Sequence, residues 1–269
     1  MPLIMRTFRI RGKLIFKVVL LLSAVAIIVN LISSRLENKN VEALSWSVAN
    51  KVIVVDPGHG GKDPGVVEGE LVEKEITLEV SRKLTNILGQ AGAVVIPTRE
   101  TDTQLTDPKG RQFVSWKRED LNSRIKIAND NKADLFVSIH VNSFRSGPGE
   151  HGAQTFSQPG SEESRVLAET IQGEMVRILG NNHRKAKQVD YYVLRNAKMP
   201  AVIVEIGFIS NPKEGRQLND PAYQSKVAYA IYAGIVKYFS EQSNASAGPV
   251  DEENAAKVFA QPPDPIEAP

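Results

Sequence analysis

Short β-branched runs alternate with longer stretches of helical spacing from residue 52 to residue 239. VIVVD (52–56), AVVIPT (93–98), LFVSIHV (135–141), AQTFS (153–157) and AVIVEIGF (201–208) read as strands. Between them Glu73–Gln90, Asp120–Asn131 and Ser161–Leu179 carry apolar residues at helical intervals, and Pro221–Phe239 closes the series. The alternation predicts a single three-layer α/β domain around a mostly parallel, twisted sheet. Sites in such sheets form at the carboxyl ends of strands.

The flanks follow other patterns. Val18–Ile32 is uncharged and is preceded by five basic residues, Arg6, Arg9, Arg11, Lys13 and Lys17. That asymmetry predicts a signal peptide or membrane anchor within residues 1–40, its apolar part running over residues 14–32. No small-x-small site follows the run closely, which favours an uncleaved anchor. Residues 240–269, rich in Ser, Ala, Pro and acidic side chains, predict a disordered tail. The folded body is expected at residues 50–239.

Charge narrows the function. The net charge is +2, but residues 1–40 hold seven basic side chains against Glu37. The remainder is mildly acidic, which argues against nucleic acid as a partner. The absence of cysteine excludes disulfides, thiolate ligands and thiol nucleophiles. Any metal must be held by histidine and carboxylate.

The loop after the first strand, DPGHGGKDPG, fails as a phosphate cradle. Asp63 stands where the dinucleotide fingerprint needs glycine and where the P-loop needs serine or threonine. Its glycines instead let the chain turn tightly beside His59. His140, at the end of LFVSIHV, provides a second imidazole. Glu73 falls on the apolar stripe of its helix with Ile76, Val80, Leu84 and Leu88, whereas Glu75 and Glu79 fall on the opposite face. Glu205 is the only charge in AVIVEIGFI, and burying an unpaired carboxylate there is costly. An ion pair with Arg99 or Arg124 is the structural explanation of that residue. The functional one is a site.

Two imidazoles and one carboxylate leave a fourth position open on one zinc ion, and a second carboxylate then acts as general base. His59, Glu73 and His140 as ligands leave Glu205 as base. The two glutamates in reversed roles satisfy the same pattern.

With VVDPGHGGKDPG, the Glu73-Lys74 pair, LNSRIKIAN, ADLFVSIHVNS and VDYYVLRNAKMPAVIVEIGFISNP in place, the chain resembles the zinc-dependent N-acetylmuramoyl-L-alanine amidases. The resemblance implies zinc at His59, Glu73 and His140, with Glu205 catalytic. It implies hydrolysis of the amide between the lactyl group of N-acetylmuramic acid and L-alanine in peptidoglycan, and therefore an extracytoplasmic enzyme, anchored or secreted to the cell wall or spore envelope. The charged segment Gln104–Asp120 and the absence of wall-binding repeats resemble the germination-specific amidases of endospore formers. That subgroup implies cortex peptidoglycan as substrate and functional partnership with a muramic acid deacetylase that forms muramic-δ-lactam. Two other readings use the same residues: a zinc carboxypeptidase or endopeptidase on stem peptides, and a tethered glycan-binding module with structural zinc. The module needs a fourth protein ligand, for which His151 and His183 are the remaining histidines.

Overall fold

The computed structural model describes residues 12–107, 112–180 and 183–247. It divides into two compact units between Leu44 and Ser45. The first holds helix α1 (Gly12–Ala43), in which Phe16, Leu20, Leu21, Leu22, Ile27 and Ile28 are exposed while Val41 near its end is buried. No helix among the described residues is long and apolar enough to cross a membrane. The anchor expected at residues 14–32 is therefore unsupported as a complete span.

The second unit opens with a 3-10 turn, Ser45–Val48, and builds one sheet from β1 (Val52–Pro57), β4 (Val94–Pro97), β5 (Leu135–Asn142), β6 (Gln154–Ser157), β7 (Lys187–Gln188) and β8 (Ala201–Phe208). The order is β4-β1-β5-β8-β6-β7. Pairs β4/β1, β1/β5, β5/β8 and β6/β7 are parallel, while β6 runs antiparallel to β8. A small hairpin, β2 (Val67–Glu68) with β3 (Leu71–Val72), precedes α2 (Glu73–Gln90). The sheet is mostly parallel, as the alternation of patterns predicts. Its central strands are buried on both faces, which is why VIVVD, LFVSI and AVIV are continuous apolar runs without polar alternation.

Helix α7 (Pro221–Ala247) packs against both α2 and α4 (Glu162–Leu179), and α2 and α4 also lie against sheet strands. On the other face, α3 (Phe113–Asp130) and α5 (Tyr192–Asn196) cover Val54, Phe136 and Ile203 with Ile125, Ala128, Val193 and Leu194. The short α6 (Pro212–Leu218) is capped by Asn211, whose side chain accepts from the amides of Lys213 and Glu214.

Two boundaries differ from expectation. Helix α3 begins at Phe113 rather than Asp120, because Trp116 is buried and its indole donates to the Thr106 carbonyl, fixing about two extra turns. Helix α7 passes Phe239 and reaches Ala247, with Ser240 buried, because no glycine or proline stands between Phe239 and Gly248. Residues 240–247 of the expected tail are thus helical, and residues 248–269 lie outside the described residues.

Candidate metal centre

Because β1 and β5 are adjacent and parallel, the loop after β1 and the end of β5 deliver His59 and His140 to one sheet edge. Helix α2 supplies Glu73 as its first residue. The hairpin before it holds that residue in place, since the Glu73 amide donates to the Val66 carbonyl and Glu73 Oε2 accepts from the Val66 amide at 2.8 Å. Glu73 Oε1 accepts from the Val141 amide at 2.9 Å and faces His59 Nε2 at 3.2 Å and His140 Nδ1 at 3.1 Å. One ligand atom from each residue lies within 4.8 Å of the others. The imidazole rings meet edge-on, with centroids 4.9 Å apart.

The loop geometry explains its glycines. A Cβ on Gly58 would stand 2.4–2.7 Å from the His140 ring, and one on Gly65 would stand 2.5 Å from Glu73 Oε2. Both are places where backbone must approach a side chain of the His59, Glu73 and His140 cluster. His59 itself has φ 63°, an uncommon conformation for a residue with a side chain. Arg124 holds it there. Its guanidinium is buried and donates to the carbonyls of Pro57 and His59, as well as to Asp56 and Asp120. Arg99 donates to the carbonyls of Pro57, Gly58 and Lys74, bracing the same turn from the α2 side.

Electrostatics single out four groups. Burial works against a charged His59, but hydrogen bonds to Asp63 and Glu73, with their charges, push its pKa up to about 9. Burial likewise opposes the charged forms of Glu73 and Asp63, and the contacts to the histidines, with Lys117 added at Asp63, hold both well below the usual carboxylate range. Glu205 has no such partner. It pairs in register with His140 across β5 and β8, and its Oε2 is buried without a hydrogen bond. Burial pushes its pKa up to about 7, with the charges of His140 and His59 pulling down and that of Glu73 pushing up. Neither arginine expected as its ion-pair partner reaches it, since Arg124 is committed to Asp56 and Asp120 and Arg99 to backbone carbonyls.

The donor set suits zinc: two imidazoles and a carboxylate converging on one point, with no soft ligand. The other histidines do not join it. His151 and His183 line a separate depression with Glu214, and His59, Glu73 and His140 are the one metal-ligating cluster among the described residues. Two features escaped the reading of the sequence. Asp63 Oδ2 accepts from His59 Nδ1 at 2.9 Å, which turns Nε2 towards the centre. Two depressions of about 290 and about 570 Å³ also meet at His59, Asp63, Lys117, His140 and Glu205, forming a groove across the centre. The spacing His59-x-x-x-Asp63 was visible, but nothing in a loop without periodicity tells where the carboxylate points.

A cluster of three possible metal donors at the carboxyl ends of parallel strands, open to a groove and facing a buried carboxylate, has the make-up of a single-metal α/β hydrolase. The chain belongs to the N-acetylmuramoyl-L-alanine amidase family, whose model matches residues 53–237. The germination-specific N-acetylmuramoyl-L-alanine amidase of Bacillus subtilis strain 168 is 43% identical over 202 residues, covering 74% of this chain and 85% of that protein. The amidase LytC of the same strain is 34% identical, over 74% of this chain and 39% of its own. Among solved structures, the CwlD amidase of Clostridioides difficile, in complex with the GerS lipoprotein, is similar with a TM-score of 0.69 and 39% identity. It covers 71% of this chain and 99% of that one. The protein is accordingly an amidase acting on peptidoglycan.

Proposed function

We propose that His59, Glu73 and His140 hold one zinc ion and that Glu205 is the catalytic general base in hydrolysis of the lactyl–L-alanine amide. Zinc bound there would supply Lewis-acid polarisation of the scissile carbonyl and make a water easier to deprotonate. Glu205 takes that water's proton as its oxygen attacks the carbonyl carbon. It returns the proton to the departing nitrogen as the C–N bond breaks, leaving a lactyl carboxylate and a free L-alanine amine. Asp63 fixes the orientation of His59, and Arg124 and Arg99 keep the loop in place. The observation that carries this reading is the partnerless Glu205 Oε2, buried opposite His140 at a pKa close to the range where a group can both accept and release a proton. Product analysis tests it. New amino ends on L-alanine support the amide assignment, and release of terminal D-alanine with none on L-alanine would overturn it.

The named role of the Bacillus subtilis relative supports spore cortex peptidoglycan as the substrate, with a muramic acid deacetylase acting next to give muramic-δ-lactam. The CwlD complex supports a lipoprotein partner. The exposed apolar side chains of α1, behind a basic flank, support export and seating of residues 14–32 at a membrane. Cortex muropeptides from spores lacking the chain should contain no muramic-δ-lactam. Normal lactam content would remove the cortex role while leaving the amidase chemistry intact.

A further inference from the structure

The groove contains an exposed cation that the chemistry above does not use. Lys117, on α3, lines both depressions. Arg124 is the other lysine or arginine among their described lining residues, and it is buried and tied to Asp56, Asp120 and two carbonyls. The Lys117 side chain is 39% exposed, and its Nζ stands 3.2 Å from Asp63 Oδ2. Asp63 is also satisfied from within its own loop, by His59 Nδ1 at 2.9 Å and by the Gly65 amide at 3.2 Å. The carboxylate that orients His59 therefore keeps two partners if the lysine moves. The pair is open on its lysine side, with Asp63 15% exposed, so the ammonium can be exchanged to another carboxylate in the groove, and a lysine stem is flexible enough to swing to it.

The substrate in the amidase reading, on which this inference rests, presents such a group. Beyond L-alanine the stem peptide continues with an acidic D-residue whose α-carboxylate is free in some walls and amidated in others. Two extended residues span about 7 Å. The Lys117 ammonium stands no more than two such contacts, 3.2 and 2.9 Å, from His59 Nδ1 and lines the groove beside the centre, within that reach. We propose that Lys117 is a specificity-determining residue that leaves Asp63 to pair with the α-carboxylate of the second stem-peptide residue, so that acidic stems are cleaved in preference to amidated ones.

Three muramoyl-tripeptides test this with the zinc-loaded full chain: one with free carboxylates, one amidated at the second residue and one amidated at the third. The wild type should favour the free form over the second-residue amide by about five-fold in kcat/KM, the range of an exposed ion pair. It should not distinguish the third-residue amide. In Lys117→Met the ratio should fall to about one, and Lys117→Arg should keep a preference. Persistence of the ratio in Lys117→Met, or its transfer to the third residue, overturns the proposal. So does equal loss on all three peptides together with weakened zinc binding in chelator competition, because that assigns Lys117 to the metal centre through Asp63. A wild-type chain that cleaves none of the three would sink the amidase reading itself, a result distinct from all of these.

Discussion

Glu205→Gln should stabilise the chelator-treated protein in alkaline solution while abolishing its activity. The ordinary pKa of the residue is 4.5, and burial in the folded chain raises it to about 7. The folded state therefore keeps a proton that the unfolded state has already released. The resulting cost is absent below pH 4.5, grows as pH rises, and is complete above 7. The gap corresponds to roughly 3 kcal/mol, most of which develops between pH 5 and pH 8. Glutamine has the same shape and no ionisation, so the cost disappears with the substitution. Urea unfolding of both proteins after chelation, at the two pH values, measures it. The stability difference should shift towards the glutamine variant by roughly that amount at pH 8, with unchanged slopes. A difference independent of pH, or one that moves in favour of glutamate, would refute the claim that Glu205 is buried without a charge partner.

Asp63→Asn should weaken zinc affinity about 10- to 100-fold in chelator competition, because the carboxylate that orients His59 is lost; wild-type affinity would remove Asp63 from the centre. Gly58→Ala should lower zinc occupancy while far-ultraviolet dichroism stays native, since its methyl meets the His140 ring at 2.4–2.7 Å. Full occupancy would show that the ring can move aside. Arg124→Met should cost about 3–5 kcal/mol in urea unfolding, as it strands the buried carboxylate of Asp56. A cost below about 1 kcal/mol would mean that Asp56 is neutral in the folded chain.

The parts of the fold legible in the sequence were those with a period. VIVVD, LFVSIHV and AVIVEIGF are continuous apolar runs because their strands are covered on both faces, and that same placement put His59, His140 and Glu205 at strand ends or within strands. Glu73 was legible because its angular position on α2 set it apart from Glu75 and Glu79, and it is indeed buried. The hairpin β2/β3, β7 and the short α5 and α6 are too brief to show periodicity. Loop contacts between distant residues were equally hidden. Lys117 meets Asp63 and Arg124 meets the His59 carbonyl only because α3 packs beside the β1 loop. The sequence offered Arg124 as a partner for Glu205. The register of the sheet gives it to Asp56.

The central claim is that Glu205 moves the proton while His59, Glu73 and His140 hold the metal. The most direct test is release of new L-alanine amino ends from peptidoglycan by the zinc-loaded Glu205→Gln protein, with zinc content determined on the same sample. The account predicts about one zinc per chain and no release above background. Normal release by that sample would contradict it.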